Sequence, residues 1–273
     1  MNNNNNNSAA ILISGASSGL GLAFLQHYAS LPSHPTIIAL DTQPLPPQPY
    51  SNILFHQVDI TSSDAIQALA QTYTSTSTPI KLLLHCAGVR GLVPSHVALE
   101  KEKPPSLQKN VAATESLQAM THSTMMQTFE INTWGTFNLL RAFLPCLLLL
   151  PSSSSSFDMM PKVIILSSRM GSISANTTGG AYAYRASKAA LNAVVTSFAH
   201  DVPQVQFLML HPGRVETGLV EWMKEEGAIG VEESVGDCLG VVEGLMDGWR
   251  RDEKDGRKVS GRFVDRFGVD IAW

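Results

Sequence analysis

Residues 9–21 read AAILISGASSGLG. An unbroken apolar run, Ala9–Ile13, leads into Gly15, and Gly19 and Gly21 open a segment, Gly19–Leu31, with helical apolar spacing. A run without polar alternation is the pattern of a strand buried on both faces. Glycine lets the backbone turn tightly and approach a pyrophosphate, and the first amides of a helix favour an anion. The spacing is GxxxGxG rather than GxGxxG, and by itself it marks only a tight turn. Its position after the first strand makes Gly15, Ser17, Ser18, Gly19, Leu20 and Gly21 candidates for holding a dinucleotide.

Outward from this stretch the same rhythm repeats. Apolar runs occur at Thr36–Leu40, Ile53–Val58, Ile80–Leu84, Lys162–Leu166, Val205–Leu210 and Arg262–Val264. Between them Ser62–Tyr73, Met125–Leu150, Ala181–Asp201 and Glu232–Trp249 read as helices. The alternation predicts one doubly wound α/β domain over residues 8–273, with a mostly parallel sheet of seven strands and helices on both faces. The asparagine run Met1–Asn7 is expected to be a disordered tail, and loop insertions are expected at about 100–124 and 151–161, the latter holding Ser152–Ser156.

Composition narrows the function classes. Hydrophobic residues make up 44% of the 273, enough for a full core, while charged residues are only 15%. The formal charge is −4 with no basic run, which argues against nucleic acid. Cys86, Cys146 and Cys238 lie far apart; that is neither a disulfide framework nor a zinc spacing, so no metal is expected and a reducing, cytoplasmic compartment is. The most apolar stretch, Leu139–Leu150, is interrupted by Arg141 and Pro145 and falls short of the ~20 residues a membrane span needs.

Several positions bear on a ligand crevice. Asp41 ends the second strand, where a carboxylate can accept from the adenosine ribose hydroxyls and repel a 2′-phosphate; with no Lys or Arg beside it, NAD(H) is favoured and NADP(H) remains possible. The competing role for Asp41 is a turn cap before Pro44. Asp59 and Ile60 suit the edge and face of an adenine, although Asp59, Thr61 or Ser62 can also cap the helix that follows. The fourth strand runs into His85-Cys86-Ala87-Gly88, whose small residues leave room for a ligand. His85 and Cys86, as strand neighbours, point to opposite faces and make a poor nucleophile–base pair.

The chemistry gathers in residues 162–188. The strand KVIIL ends in Ser167-Ser168, and Tyr184 and Lys188 stand four apart on one helix face. An ammonium beside a phenol favours the phenolate, so Tyr184 can exchange a proton with a carbonyl or alcohol oxygen. Tyr182 has the wrong spacing to Lys188, and YxxxK alone reads equally as a surface pair.

With these residues in place the sequence resembles the short-chain dehydrogenase/reductase family, a single-domain Rossmann fold, and within it the C-factor/sniffer-type carbonyl reductases. The features that carry the resemblance occur in order: SGASSGLG, Asp41, Asp59-Ile60, CAG at 86–88, Asn132 in FEINTWG, Ser168, Tyr184/Lys188, HPGRVET at 211–217 and the ending GRFVDRFGVDIAW. The resemblance implies an NAD(P)-dependent oxidoreductase acting on a small carbonyl or alcohol substrate. Ser168 would hold the substrate oxygen, Tyr184 would be the general acid or base, and Lys188 would lower the tyrosine pKa and hold the nicotinamide ribose. Asn132 would anchor a water, with a helix break before Gly135 as its plainer role. Cys86, Ala87, Gly88, Pro212, Gly213, Val215 and Thr217 would line the cofactor site. Met170, Ala175, His96, Trp222 and Met223 are substrate-pocket candidates by position. A homodimer or homotetramer is implied, meeting through the helices at Met125–Leu150 and Ala181–Val202. One departure stands out: the family's Asn-Asn-Ala-Gly is His85-Cys86-Ala87-Gly88, removing an amide that ties strand to strand. A reading from another class, a dinucleotide-binding regulatory protein with residual catalysis, leaves the intact Ser168/Tyr184/Lys188/Asn132 set without a purpose.

Overall fold

The computed structural model describes residues 9–104, 107, 109–150, 160–220, 227–252 and 260–273. The asparagine tail, the serine run and the pocket candidates Trp222 and Met223 lie outside the described residues. The strands are β1 (Ala10–Ser14), β2 (Ile37–Asp41), β3 (Ile53–Gln57), β4 (Ile80–His85), β5 (Lys162–Leu166), β6 (Gln206–His211) and β7 (Arg262–Asp265). They form one seven-stranded sheet in the order β3-β2-β1-β4-β5-β6-β7, each neighbouring pair parallel. The helices are α1 (Gly19–Ala29), α2 (Ser63–Ser75), α3 (Pro94–Glu102), α4 (His122–Phe129), α5 (Gly135–Leu147), α6 (Tyr182–Asp201) and α7 (Val231–Asp252).

The continuous apolar runs are explained by the layers. Strand side chains alternate between faces. Leu12 of β1 therefore packs with Ile66 of α2, Phe143 of α5 and Leu191 of α6. Its neighbours Ile11 and Ile13 pack on the other face with Phe24 and Leu25 of α1 and Val235 and Val242 of α7. Both faces are covered, so every residue of β1 and of β5 is buried.

Three sequence expectations are corrected. The helix expected over Met125–Leu150 begins at His122, where the Thr121 hydroxyl caps Thr124 N–H. It passes through one π turn, Glu130–Trp134, and ends at Leu147, with Pro145 inside its last turn. The expected loop over 100–124 carries structure: it takes the end of α3 and a 3-10 turn, Val111–Glu115, and the Glu100 carboxylate accepts Asn110 N–H at 2.8 Å. The third correction concerns β4. The sequence implied a lost strand-to-strand tie at His85, yet buried His85 makes one: its Nδ1 lies 2.7 Å from Ser14 Oγ of β1 and its Nε2 lies 2.8 Å from Thr136 Oγ1 of α5. Thr136 donates its single hydroxyl proton to the Asn132 carbonyl at 2.7 Å. It must therefore accept from Nε2–H, which leaves Nδ1 to accept from Ser14.

This bonding needs a neutral imidazole, and burial pushes the His85 pKa down to about 3. In the unfolded chain the ring takes a proton below about 6.5. Stability from this group is thus present above pH ~6.5 and is lost as the pH falls toward ~3. His211, held down to about 4, acts in the same direction. We expect His85→Asn, which restores an amide, to flatten the loss of melting temperature between pH 6.5 and 4 relative to wild type, with His211 common to both proteins. Equal pH dependence in the two proteins would contradict this account.

Candidate active site

The site lies at the carboxyl ends of the strands, where the order turns from β1 toward β2 on one side and toward β4 on the other. Backbone contact shapes it. Gly15 has φ +69°, and a Cβ there would come within 2.6 Å of Ala87 N; a Cβ on Gly21 would collide with the Gly15 carbonyl. The β1–α1 turn is thus pressed onto the end of β4, and only glycine permits it.

A cavity of about 460 Å³ opens along this turn. Gly15, Ser18, Gly19, Leu20, Gly21, Asp41, Asp59, Ile60, Cys86, Ala87, Gly88, Tyr184, Lys188, Pro212 and Thr217 line it. Ser17 stands behind the wall, donating its N–H to Asp41 Oδ2 at 2.9 Å. Asp41 also accepts Gln43 N–H at 3.0 Å, so it does cap its turn while still facing the cavity. Asp59 accepts from both the N–H and the hydroxyl of Thr61, and Ser62 is the residue that caps α2. These features fit a dinucleotide: a glycine cradle at the centre, carboxylates at one end and an ammonium at the other.

A second cavity, of about 1040 Å³, adjoins the first. It is lined by Ser168, Met170, Ala175, Gly213 and Val215, and Tyr184, Pro212 and Thr217 border both cavities. His96 borders neither; it sits on α3 beside Ser95, so its place in the pocket is corrected. The wall at Ser172–Ala175 is tied to the chain end, with the Ser172 hydroxyl donating to the Ala272 carbonyl and Ser174 N–H to that of Trp273.

Tyr184 and Lys188 are both buried, and Lys188 Nζ lies 5.8 Å from the Tyr184 ring centre. Nζ donates to the Leu166 carbonyl at 2.9 Å, and burial brings the Lys188 pKa down to about 8. Arg90 places a second cation 5.2 Å from the same ring centre. Arg90 is itself held by two bonds of 2.9 Å to the Glu115 carboxylate. Both cations are thus within cation–π distance of one ring. Tyr182 is 39% exposed and lines neither cavity. Ser168 accepts Met170 N–H at 3.2 Å.

Asn132 lies in the π turn and lines neither cavity. Its Oδ1 accepts Val89 N–H at 2.8 Å, and its Nδ2 donates to the Val89 carbonyl at 2.9 Å and to Ser187 Oγ at 3.0 Å. Ser187 in turn donates to the Tyr184 carbonyl. A continuous polar path therefore runs Ser14–His85–Thr136–Asn132–Ser187–Tyr184, joining β1 to the helix that carries the tyrosine. Cys86 faces the first cavity, and burial raises its thiol pKa; His85 is spent on the polar path, so the two make no reactive pair. Arg90 and Glu115 were not singled out in the sequence. Arg90 stands two residues past the CAG stretch, but no spacing rule joins it to Glu115 across 25 residues.

Comparison with known proteins agrees with the geometry. The short chain dehydrogenase family profile matches residues 9–227. C-signal of Myxococcus xanthus is 36% identical over 154 residues, covering 56% of this chain and 80% of that protein. The NADPH-bound carbonyl reductase from chicken fatty liver is 26% identical, with a TM-score of 0.75 over 97% of this chain and 98% of the other. Carbonyl reductase Sniffer of D. melanogaster is also 26% identical, with a TM-score of 0.73 over 97% and 99%.

Removing Arg90 alone strands the buried Glu115 carboxylate. We expect Arg90→Met to cost roughly 3–5 kcal/mol in urea unfolding, the usual penalty for a buried pair broken on one side. Arg90→Met combined with Glu115→Gln should recover most of it. A double variant as unstable as the single one would show that the carboxylate is not the cause.

Proposed function

The chain belongs to the short-chain dehydrogenase/reductase family, and from that premise we propose that it is an NAD(P)-dependent oxidoreductase moving a hydride between nicotinamide and a carbonyl/alcohol pair, with Tyr184 as general acid/base. The observation that carries this reading is the position of Tyr184, backed by Lys188 and Arg90, on the border between a glycine-cradled cavity and a larger open one. The dinucleotide, when bound, supplies or accepts the hydride.

In this reading Ser168, on the larger cavity, holds the substrate oxygen while Tyr184 gives it a proton in reduction and takes one in oxidation. Lys188 stabilises the phenolate and offers its remaining donors to the nicotinamide ribose. Asn132 has spent both amide protons and one acceptor site, leaving one Oδ1 lone pair for the water that links Lys188 to solvent. Gly15, Ser18, Gly19, Leu20 and Gly21 cradle the pyrophosphate, with Ser17 fixing the loop to Asp41. Asp59, Ile60 and Cys86–Gly88 flank the adenosine and the central crevice, and Pro212, Gly213, Val215 and Thr217 flank the nicotinamide end.

The cofactor preference follows from charge. Asp41, Asp59, Thr42 and Val58 line the 460 Å³ cavity, and among the described residues the only cations on its lining are Arg90 and Lys188, near the Tyr184 ring. A 2′-phosphate would meet carboxylates without a basic partner, which favours NAD(H), whereas the likeness to the NADPH-bound chicken relative favours NADP(H). Free thiols at Cys86, Cys146 and Cys238 support a reducing, cytoplasmic setting. No described helix is long and apolar enough to cross a membrane. The subunit buries nine of the thirteen residues of α5, so much of the apolar excess read from the sequence is absorbed internally. Exposed Met126 and Trp134 support a homodimer or homotetramer through these helices.

Tyr184→Phe should lower turnover at least about a hundredfold, the scale of a lost general acid, with dinucleotide affinity nearly unchanged. Tyr182→Phe is the control and should retain turnover. The reverse pattern would place the proton donor elsewhere. Titration of both dinucleotides should show tighter binding of NAD(H), narrowed by Asp41→Ala; a clear NADP(H) preference in the wild type would overturn the charge argument.

A further inference from the structure

The 1040 Å³ cavity extends well past the Ser168/Tyr184 corner, and its charged lining is unbalanced. Four arginines border it against two glutamates. Arg90 and Glu115 neutralise each other through two short bonds. Arg214 and Glu216 are exposed residues of opposite sign on one rim. Arg169 leans on Asp265 at 3.4 Å.

Arg185 differs from these. It is half-buried, its Nε donates to the Gly180 carbonyl at 3.2 Å, and its Nη2 donates to Thr178 Oγ1 at 2.9 Å. Both acceptors are neutral. A guanidinium has five N–H donors, so 5 − 2 leaves three uncommitted among the described residues. The first turn of α6 holds no acidic residue. Burial and the nearby Arg90 both disfavour the charge, and Glu115 offsets them only in part. Arginine does not shed its proton to relieve this. The result is a planar, fixed fork on the wall of the larger cavity, with a charge that a carboxylate would pair. One cation balanced only in part matches a monoanion better than a phosphate dianion.

We infer that Arg185 anchors a carboxylate of the substrate, so that the carbonyl/alcohol compound handled at Tyr184 is a keto or hydroxy acid with the acid group set apart from the reacting carbon. This rests on the oxidoreductase reading above. Arg185 follows Tyr184 directly, about 100° around the same helix turn, so one turn of α6 reads both ends of one substrate.

The test uses benzoylpropionate and longer benzoylalkanoates, their methyl esters, and a benzoylalkyl phosphate. Calorimetry on the protein saturated with oxidised dinucleotide gives affinities, and turnover with reduced dinucleotide gives kcat/KM. The acid of at least one chain length should bind at least about tenfold tighter than its ester. Arg185→Gln should bring that ratio close to one, and Arg185→Lys should keep part of it. The ester, measured on each variant, controls for damage to the fold. Equal binding of acid and ester by the wild type, or an acid preference that survives Arg185→Gln, overturns the anchor. An Arg185-dependent preference for the phosphate over the acid overturns the carboxylate assignment. An Arg185-dependent acid preference with no turnover of any compound upholds the anchor and sinks the oxidoreductase reading instead. Turnover of acid and ester with equal efficiency does the opposite.

Discussion

Three backbone segments meet at one point, and the rest of the site follows from it. Gly15 leaves β1 with positive φ and lies against Ala87, and Gly21 of α1 lies against the Gly15 carbonyl. Side chains at these positions would force β1, α1 and the end of β4 apart. Their contact sets the floor of the dinucleotide cavity, and the parallel order of β1 and β4 sets which loops border it. A buried sheet packed on both faces gives that floor its rigidity.

Rigidity is carried onward by polar groups. The path from Ser14 through His85, Thr136, Asn132 and Ser187 to the Tyr184 carbonyl crosses the core from β1 to α6, and the hydrogen-bond count allows one direction for its protons. A buried polar network of this kind is costly when incomplete and orienting when complete. Here it holds the turn of α6 that presents Tyr184, Arg185 and Lys188 to the two cavities. Arg90 and Lys188 then lie within cation–π distance of the Tyr184 ring, each braced by a second contact, Glu115 for one and the Leu166 carbonyl for the other.

Much of this was legible because the signals are local. The strand–glycine–helix order of residues 9–21, the acidic end of β2 and the four-residue step from Tyr184 to Lys188 depend only on nearby chain, and each is found where the spacing placed it. What escaped depends on distant partners. α3 was missed because its face is weakly patterned and its end is fixed by Glu100 reaching Asn110. The Arg90–Glu115 pair joins a strand exit to an insertion. His85 appeared as a lost tie because its substitute partners, Ser14 and Thr136, lie 71 and 51 residues away. His96 was placed by position alone; it sits on α3 beside Ser95 and outside both cavity linings.

The central claim is that the glycine-floored crevice brings a nicotinamide ring and a substrate carbonyl together beside Tyr184. Reduction of a ketone with NADH or NADPH deuterated at the transferable ring position tests it most directly. The account predicts that the deuterium appears on the carbinol carbon of the product while the hydroxyl proton comes from solvent, and that Tyr184→Phe slows the transfer without redirecting the label. Product carrying only solvent-derived hydrogen on that carbon, or oxidation of the dinucleotide with no labelled product, would contradict it.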